Sequence, residues 1–372
     1  MAKKGKKKKA PSLIPLCVLA VVGSLLFLSM GKDTTLSTGS LFHIKTLFDY
    51  TPIVKTLQSE ELKFAIKAED EGQIVSYASR GYRYGPSIMQ HEDGSYDAWF
   101  SSPGNNSTQW DWIRYRHSDD GVNWSKEQIV LKPTSGSKDR CSVCDPGVFY
   151  YDGYYYLGYT STDDYVRDGY NNSAFVARSV NPDGPFEKWN GEGWGGKPEP
   201  IIKYDGDPDG WGIGEPSFVI VEDKLYIYYT HFDLTGGYTG VAVAQLGENW
   251  PASIENKGMV MGRTTQDSMD VFYEDELELF MGFSIENKMS EGSRVALYVS
   301  KNGMLFEKYD DSDTYIEDYA HSMGIAKDEQ GHQSIEDPLL FGYAYGKGWG
   351  RWNMKFQYLS ISNLSTYKVV SK

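Results

Sequence analysis

Apolar and polar positions along this chain fall into a unit that recurs five times: an apolar anchor, a short polar turn and a tyrosine-rich strand. The clearest copies are DPGVFYYDGYYYLGYTS from Asp145 and EPSFVIVEDKLYIYYTH from Glu215. The anchors are Ile88, Val148, Phe218, Val271 and Ile325, a period of roughly 50 to 70 residues in the range of propeller repeats. Turn signals such as Glu92-Asp93-Gly94, Asp152-Gly153 and Glu222-Asp223 follow the anchors and predict tight hairpins. A second hairpin comes after each first one, as IRYRHSDDGVNW from Ile113, FVARSVNPDGPFEKW from Phe175 and LYVSKNGMLFEKY from Leu297, with a degenerate copy, VAVAQLGENW, from Val241. Four strands per unit and five units predict an all-β fold, a five-bladed β-propeller spanning residues 77–372. Residues 163–172 and 189–211 interrupt the repeat and are expected to line a cavity mouth.

The pattern changes ahead of the repeat. Residues 1–31 join a six-lysine run to an apolar stretch from Ser12 to Met30, which as a helix reaches roughly 28 Å at about 1.5 Å per residue, close to a bilayer's hydrocarbon thickness. It reads as an uncleaved transmembrane signal-anchor, single-pass, with the lysines cytoplasmic and the propeller on the extracytoplasmic side of the cell membrane. The rival is a cleaved signal peptide and a secreted protein, but no A-x-A site is evident. Cys17 then reads as an ordinary membrane residue. Residues 32–76 read as a linker or lead-in, with TLQSEELKFAIKAEDEGQ suggesting a short amphipathic helix.

Charge narrows the partners. Without the six lysines, the formal net charge of −14 becomes −20, and nucleic-acid phosphates would be repelled. Aromatic residues make up 15% of the chain, including 28 Tyr and 10 Trp, which favours β structure and supplies ring faces for stacking on sugars. Cys141 and Cys144, two residues apart on an extended strand, would lie about 10 Å apart, beyond disulfide reach. They are expected to be small buried core residues.

The repeat also places chemistry. In two copies the residue three positions before the anchor is a carboxylate, Asp145 and Glu215, each followed by Pro. Neighbouring blades of a propeller aim equivalent positions at one axial cavity. Cleaving a glycosidic bond needs one protonated carboxyl and one ionised carboxylate, with opposed pKa demands.

These motifs resemble those of glycoside hydrolases of the family 43 and family 32 five-bladed propeller type, from about Tyr82 to Asn363. The resemblance implies an O-glycosyl hydrolase with Glu215 as general acid, in Glu215-Pro216-Ser217, and Asp145 as the residue tuning it, in Asp145-Pro146-Gly147. The blade-one motif departs: Arg83-Tyr84-Gly85-Pro86-Ser87 carries glycine where the family has its base. Asp145 is the first candidate for that role, with Asp111 in Trp110-Asp111-Trp112 and Asp267 as others. The resemblance also points to His321 on the cavity floor, associated with water or a structural calcium, although no cofactor is required. Arg83 and Arg351 are candidates to bind sugar hydroxyls or a substrate carboxylate, and Trp110, Trp112, Trp211 and Trp349 to stack on sugar rings. The Ser118 to Trp124 turn resembles the sialidase Asp box, an outer-edge feature that names no activity. The expected substrate is an extracellular poly- or oligosaccharide. The alternatives are a non-catalytic glycan-binding propeller, which the missing blade-one carboxylate favours, and a glycosyl- or fructosyl-transferring relative.

Overall fold

The inner and middle strands are largely buried on both faces while the outer ones are largely exposed, and the computed structural model shows why: neighbouring sheets flank the inner strands on either side. It describes residues 57–77, 81–106, 108–167, 169–261 and 268–369. Three strands come first, β1 (Leu57–Glu61), β2 (Phe64–Ala68) and β3 (Gln73–Ser76). Blade one is β4 (Tyr84–Gln90), β5 (Tyr96–Asn106), β6 (Gln109–Ser118) and β7 (Gln128–Leu131); blade two is β8 (Cys144–Tyr151), β9 (Tyr154–Ser161), β10 (Ser173–Ser179) and β11 (Glu187–Lys188). Blade three is β12 (Gly212–Val221), β13 (Lys224–Asp233), β14 (Gly236–Gln245) and β15 (Glu255–Met259); blade four is β16 (Asp270–Glu274), β17 (Leu279–Glu286), β18 (Arg294–Ser300) and β19 (Glu307–Tyr315). Blade five is β20 (Ala320–Lys327), β21 (Leu339–Tyr345) and β22 (Asn353–Asn363), completed by β2 and β3 along the outer edge of β22. A last strand, β23 (Thr366–Val369), pairs with β1.

The first strand of each blade carries one anchor, and these strands touch in the cyclic order β4, β8, β12, β16, β20 and back to β4. The ring closes through a short parallel pairing of Ala326 with Ile88 and Lys327 with Met89. Successive inner-strand residues face opposite neighbours, so five apolar clusters form, one between each pair of blades. Met89 and Val148 join blades one and two, Phe149 and Phe218 blades two and three, and Val219 and Val271 blades three and four. Phe272 and Ile325 join blades four and five, and Ala326 and Ile88 close the circle.

Two expectations change. Residues 57–76 form strands, not an amphipathic helix, and belong to the propeller, which therefore begins ahead of Tyr77. Phe64 and Ile66 are buried on alternate positions of β2 against blade five. The predicted membrane anchor lies outside the described residues; among those described, no helix is long and apolar enough to cross a membrane. Cys141 and Cys144 are buried free thiols.

Asp97 on β5, itself buried, gathers a polar cluster. It accepts hydrogen bonds from Tyr115 (2.5 Å), His117 Nδ1 (2.8 Å) and His91 Nε2 (2.9 Å). Bonding to Asp97 raises the pKa of both histidines against the opposing effect of burial. Burial alone would raise Asp97, but its three donors outweigh it and hold its pKa below 3.8. Raised histidines stabilise the fold fully below their unfolded value of 6.5 and lose that contribution as pH rises through the folded values; a depressed Asp97 contributes above 3.8 and loses it as pH falls. Thermal unfolding followed by circular dichroism is therefore expected to give its highest Tm between these limits. Asp97→Asn should flatten the decline above pH 6.5, and an undiminished decline in that variant would assign the pH dependence elsewhere.

Candidate functional site

The position three residues before each anchor carries the site. At all five such positions, Gly85, Asp145, Glu215, Ser268 and Ser322, the backbone is left-handed, with φ of 57°, 48°, 54°, 53° and 46°. The strand pairing shifts register beside four of them, in β4, β8, β12 and β20. Bulges of this kind re-aim a side chain away from the ladder. A non-glycine residue there costs about 1–2 kcal/mol, and a repeated hydrogen bond offsets it. The Asp145 amide donates to Ser101 Oγ (2.7 Å), the Glu215 amide to Thr160 Oγ1 (2.7 Å) and the Ser268 amide to Thr230 Oγ1 (2.9 Å). Each hydroxyl sits on the second strand of the preceding blade.

These bulges bring Asp145 and Glu215 to one cavity of about 340 Å³, with Asp111 in its wall. Glu215 Oε2 accepts from the Thr230 hydroxyl (2.5 Å) and the Ser268 amide (2.8 Å). Asp145 is half-buried, and its pKa is pushed well above 3.8, first by desolvation and then by the neighbouring Glu215 and Asp111 charges; Cys144 and Thr160 oppose the shift. A side chain at position 85 would begin 3.0 Å from Asp145 Oδ1, so Asp145 occupies the space that the blade-one glycine leaves open. Asp111 accepts from Tyr82 (2.6 Å) and Ser142 (3.0 Å). The Tyr84 phenol, on the same wall, is held protonated by burial and by the Asp111, Cys144 and Asp145 charges.

The rim is aromatic. Trp211 stacks on Tyr170 (4.9 Å, 17°) and lies 6.2 Å from Trp349, which is 67% exposed. Trp352 lines the inner wall and meets His321 edge-on at 4.5 Å. His321 lines the cavity, buried and neutral: desolvation takes its pKa down to about 4, the Tyr319 carbonyl offsets this in part, and the Lys288 charge adds to it. This environment does not suit calcium, which prefers six to eight oxygen ligands. Among the described residues no three His, Cys, Asp or Glu side chains converge as a metal site, and Lys288 places a positive charge in the same cavity.

Glu215, Asp145, Asp111, His321 and Trp211 thus share the cavity. Four predicted binders do not. Arg83 is buried in a two-pronged ion pair with Glu127 (2.7 Å at Nη2) and donates to the Gly81 and Tyr82 carbonyls. Gly85 lies two residues on, which would share a face with Arg83 in a regular strand, but the pairing of β4 shifts register between Tyr84 and Ser87 and breaks that alternation. Arg351 is exposed and does not line the cavity. Trp110 is also absent from the lining; its backbone ties blade one to the Cys141 carbonyl. Trp112 is buried, with Lys132 over its ring at 4.5 Å. Asp267 lies outside the described residues. Residues 163–172 reach the mouth through Gly169, while the second insertion reaches it through Trp211, its Trp189 end being buried between blades two and three.

Among the lining residues the sequence reading passed over, Thr160 and Thr230 follow a Tyr at matching places in copies two and three, so alignment could have found them. Lys288 stands in the loop between β17 and β18, outside the repeated motif.

No protein-family model matches the chain, and no curated protein matches it in sequence. Solved structures share its fold. A family 117 glycoside hydrolase of the marine bacterium Zobellia galactanivorans is 16% identical over 81% of this chain and 90% of its own, with a TM-score of 0.57. An α-L-arabinofuranosidase of Podospora anserina, solved with cellotriose, is 11% identical over 80% and 97%, with a TM-score of 0.53. The catalytic domain of a family 62 α-L-arabinofuranosidase of Coprinopsis cinerea is 11% identical over 83% and 100%, with a TM-score of 0.53. At these identities the likeness is one of fold, spread over several glycosidase families, and family 43 is not singled out.

Proposed function

We propose that this propeller is a glycoside hydrolase using Asp145 and Glu215 as its carboxyl pair. The observation that carries the reading is their placement: equivalent bulges of adjacent blades deliver them to one cavity, where desolvation and the neighbouring Glu215 charge raise the Asp145 pKa. The resemblance implies Glu215 as acid; the raised pKa of Asp145, from desolvation and the Glu215 charge, supports the opposite division of labour. Asp145 hands its proton to the glycosidic oxygen as the bond to the anomeric carbon breaks, and the departing sugar leaves as an alcohol. Glu215, fixed by Thr230 and Ser268, stands on the side where water or its own oxygen attacks that carbon. Asp111 adds negative charge to the wall and helps to keep Asp145 protonated. Trp211 and Trp349 offer ring faces at the entrance. The fold neighbours named as α-L-arabinofuranosidases make arabinofuranosides the first substrates to try.

The test is release of 4-nitrophenol from a panel of aryl arabinofuranosides, xylosides and galactosides as a function of pH. Because Asp145 must be protonated to act, kcat is expected to fall as pH rises through its elevated pKa. A rate that keeps rising into the alkaline range would remove Asp145 as acid. The absence of a side chain at Gly85 favours a second reading, a glycan-binding propeller, which predicts oligosaccharide binding by calorimetry with no reducing sugar after prolonged incubation.

A further inference from the structure

Lys288 is the one lysine or arginine among the described residues that line the cavity, where it shares space with the carboxyl groups of Asp111, Asp145 and Glu215. The backbone that presents it is strained on both sides: Asn287 and Met289 are left-handed, with φ of 51° and 54°. Strain of this sort, about 1–3 kcal/mol per residue, persists only where the surroundings enforce it, and it concentrates at working sites. Here the enforcement is two hydrogen bonds with the start of blade five and one within the loop. The Met289 amide donates to the Ala320 carbonyl (2.9 Å), the Tyr319 amide to the Ser290 carbonyl (2.8 Å), and the Ser293 hydroxyl to the Asn287 carbonyl (2.9 Å). The loop between β17 and β18 is thereby bolted down with its lysine in the cavity.

Building on the glycosidase reading, we propose that Lys288 is a positioning residue that decides which of the two carboxyl groups carries the negative charge, favouring ionised Glu215 and leaving the proton on Asp145. The charged and titratable groups that share the cavity with Glu215 are Asp145 and Cys144 from blade two, Tyr82 just ahead of β4, Asp111 and Tyr84 from blade one, Lys288 from blade four and His321 from blade five, and Asp270 of blade four shares a smaller adjoining cavity with Asp145 and Glu215. Only Lys288 is a cation, since burial keeps His321 neutral. Burial also draws the Lys288 pKa down, and the Glu215 carboxylate resists that change, which is the mark of a mutual attraction. Without the ammonium, two neighbouring carboxyl groups would compete for one proton, distinguished only by desolvation and by the Thr230 and Ser268 donors on Glu215.

The experiment compares wild type, Lys288→Gln and Lys288→Arg by ¹³C NMR titration of the Glu215 side-chain carboxyl and by the pH profile of kcat/KM on the best aryl glycoside. The glutamine variant is expected to raise the Glu215 titration midpoint by about one pH unit or more and to move the acid limb of kcat/KM upward equally. The arginine variant should return both, and thermal unfolding should move little in either. An unmoved Glu215 midpoint in the glutamine variant overturns the inference, as does equal damage by Gln and Arg. The titration is read whether or not sugar is released, so a wild-type protein without turnover would fail the glycosidase reading and still leave the role of Lys288 tested.

Discussion

Glu215→Gln is expected to lower turnover of alkyl and aryl glycosides by about 10² to 10⁴-fold, the range contributed by a positioned acid or base, with little change in Tm. The side chain is nearly isosteric, and its oxygen can still accept from the Thr230 hydroxyl and the Ser268 amide, so the bulge and the ring should survive. What is lost is the negative charge beside the anomeric carbon. Leaving-group dependence then separates the two carboxyl groups. A dinitrophenyl leaving group departs without help from a proton, so Asp145→Asn should retain most of its rate on that substrate while losing the alkyl glycoside. Glu215→Gln should lose both. The reverse pattern, with Glu215→Gln sparing the dinitrophenyl substrate, would restore the acid role to Glu215 and leave Asp145 as its modulator.

The second large effect concerns stability. Lys327, 3% exposed at the end of β20, donates to Asp270 Oδ1 (2.6 Å) and the Val271 carbonyl (2.9 Å) of blade four and to the Ser217 hydroxyl (3.0 Å) of blade three. Asp270 Oδ2 accepts in turn from the Ile325 amide (2.8 Å). One buried ammonium therefore fastens three blades beside the seam where β20 meets β4. Lys327→Met would strand a buried carboxylate, and loss of one partner of such a pair costs about 3–5 kcal/mol, a large share of the 5–15 kcal/mol that typically stabilises a domain. Urea unfolding should show the midpoint falling with the slope unchanged. Adding Asp270→Leu should recover much of the loss, because an apolar pair leaves no stranded charge. Failure of the single variant to destabilise would show that the blades hold by apolar packing alone.

Much of this molecule could be read from the chain because the fold repeats. A residue three places before an anchor needs no structure to be located once the anchors are aligned, and Asp145 and Glu215 were found that way. The same register placed Gly85 opposite them. What could not be read is whatever depends on direction at a bulge or on contacts between loops. Arg83 is two residues from Gly85, yet its guanidinium turns to Glu127 on the edge side of blade one, since a carboxylate there satisfies a buried cation better than an open cavity. Lys288 was missed because it stands in the loop between β17 and β18, outside the repeated motif. The charged residues of 58–71 occur at three- and four-residue intervals and imitate a helix, while the deciding signal was the two-residue spacing of Phe64 and Ile66.

The pairing of β2 with β22 joins the earliest and the latest parts of the propeller in a single sheet. During synthesis β2 must wait for almost the whole domain to emerge from the ribosome before it finds its partner, and until then blade five lacks its outer edge. Contacts this distant in sequence close slowly. A nascent chain would therefore pass through a stage in which four blades are stacked and the fifth is unsealed, with Phe64 and Ile66 still in water.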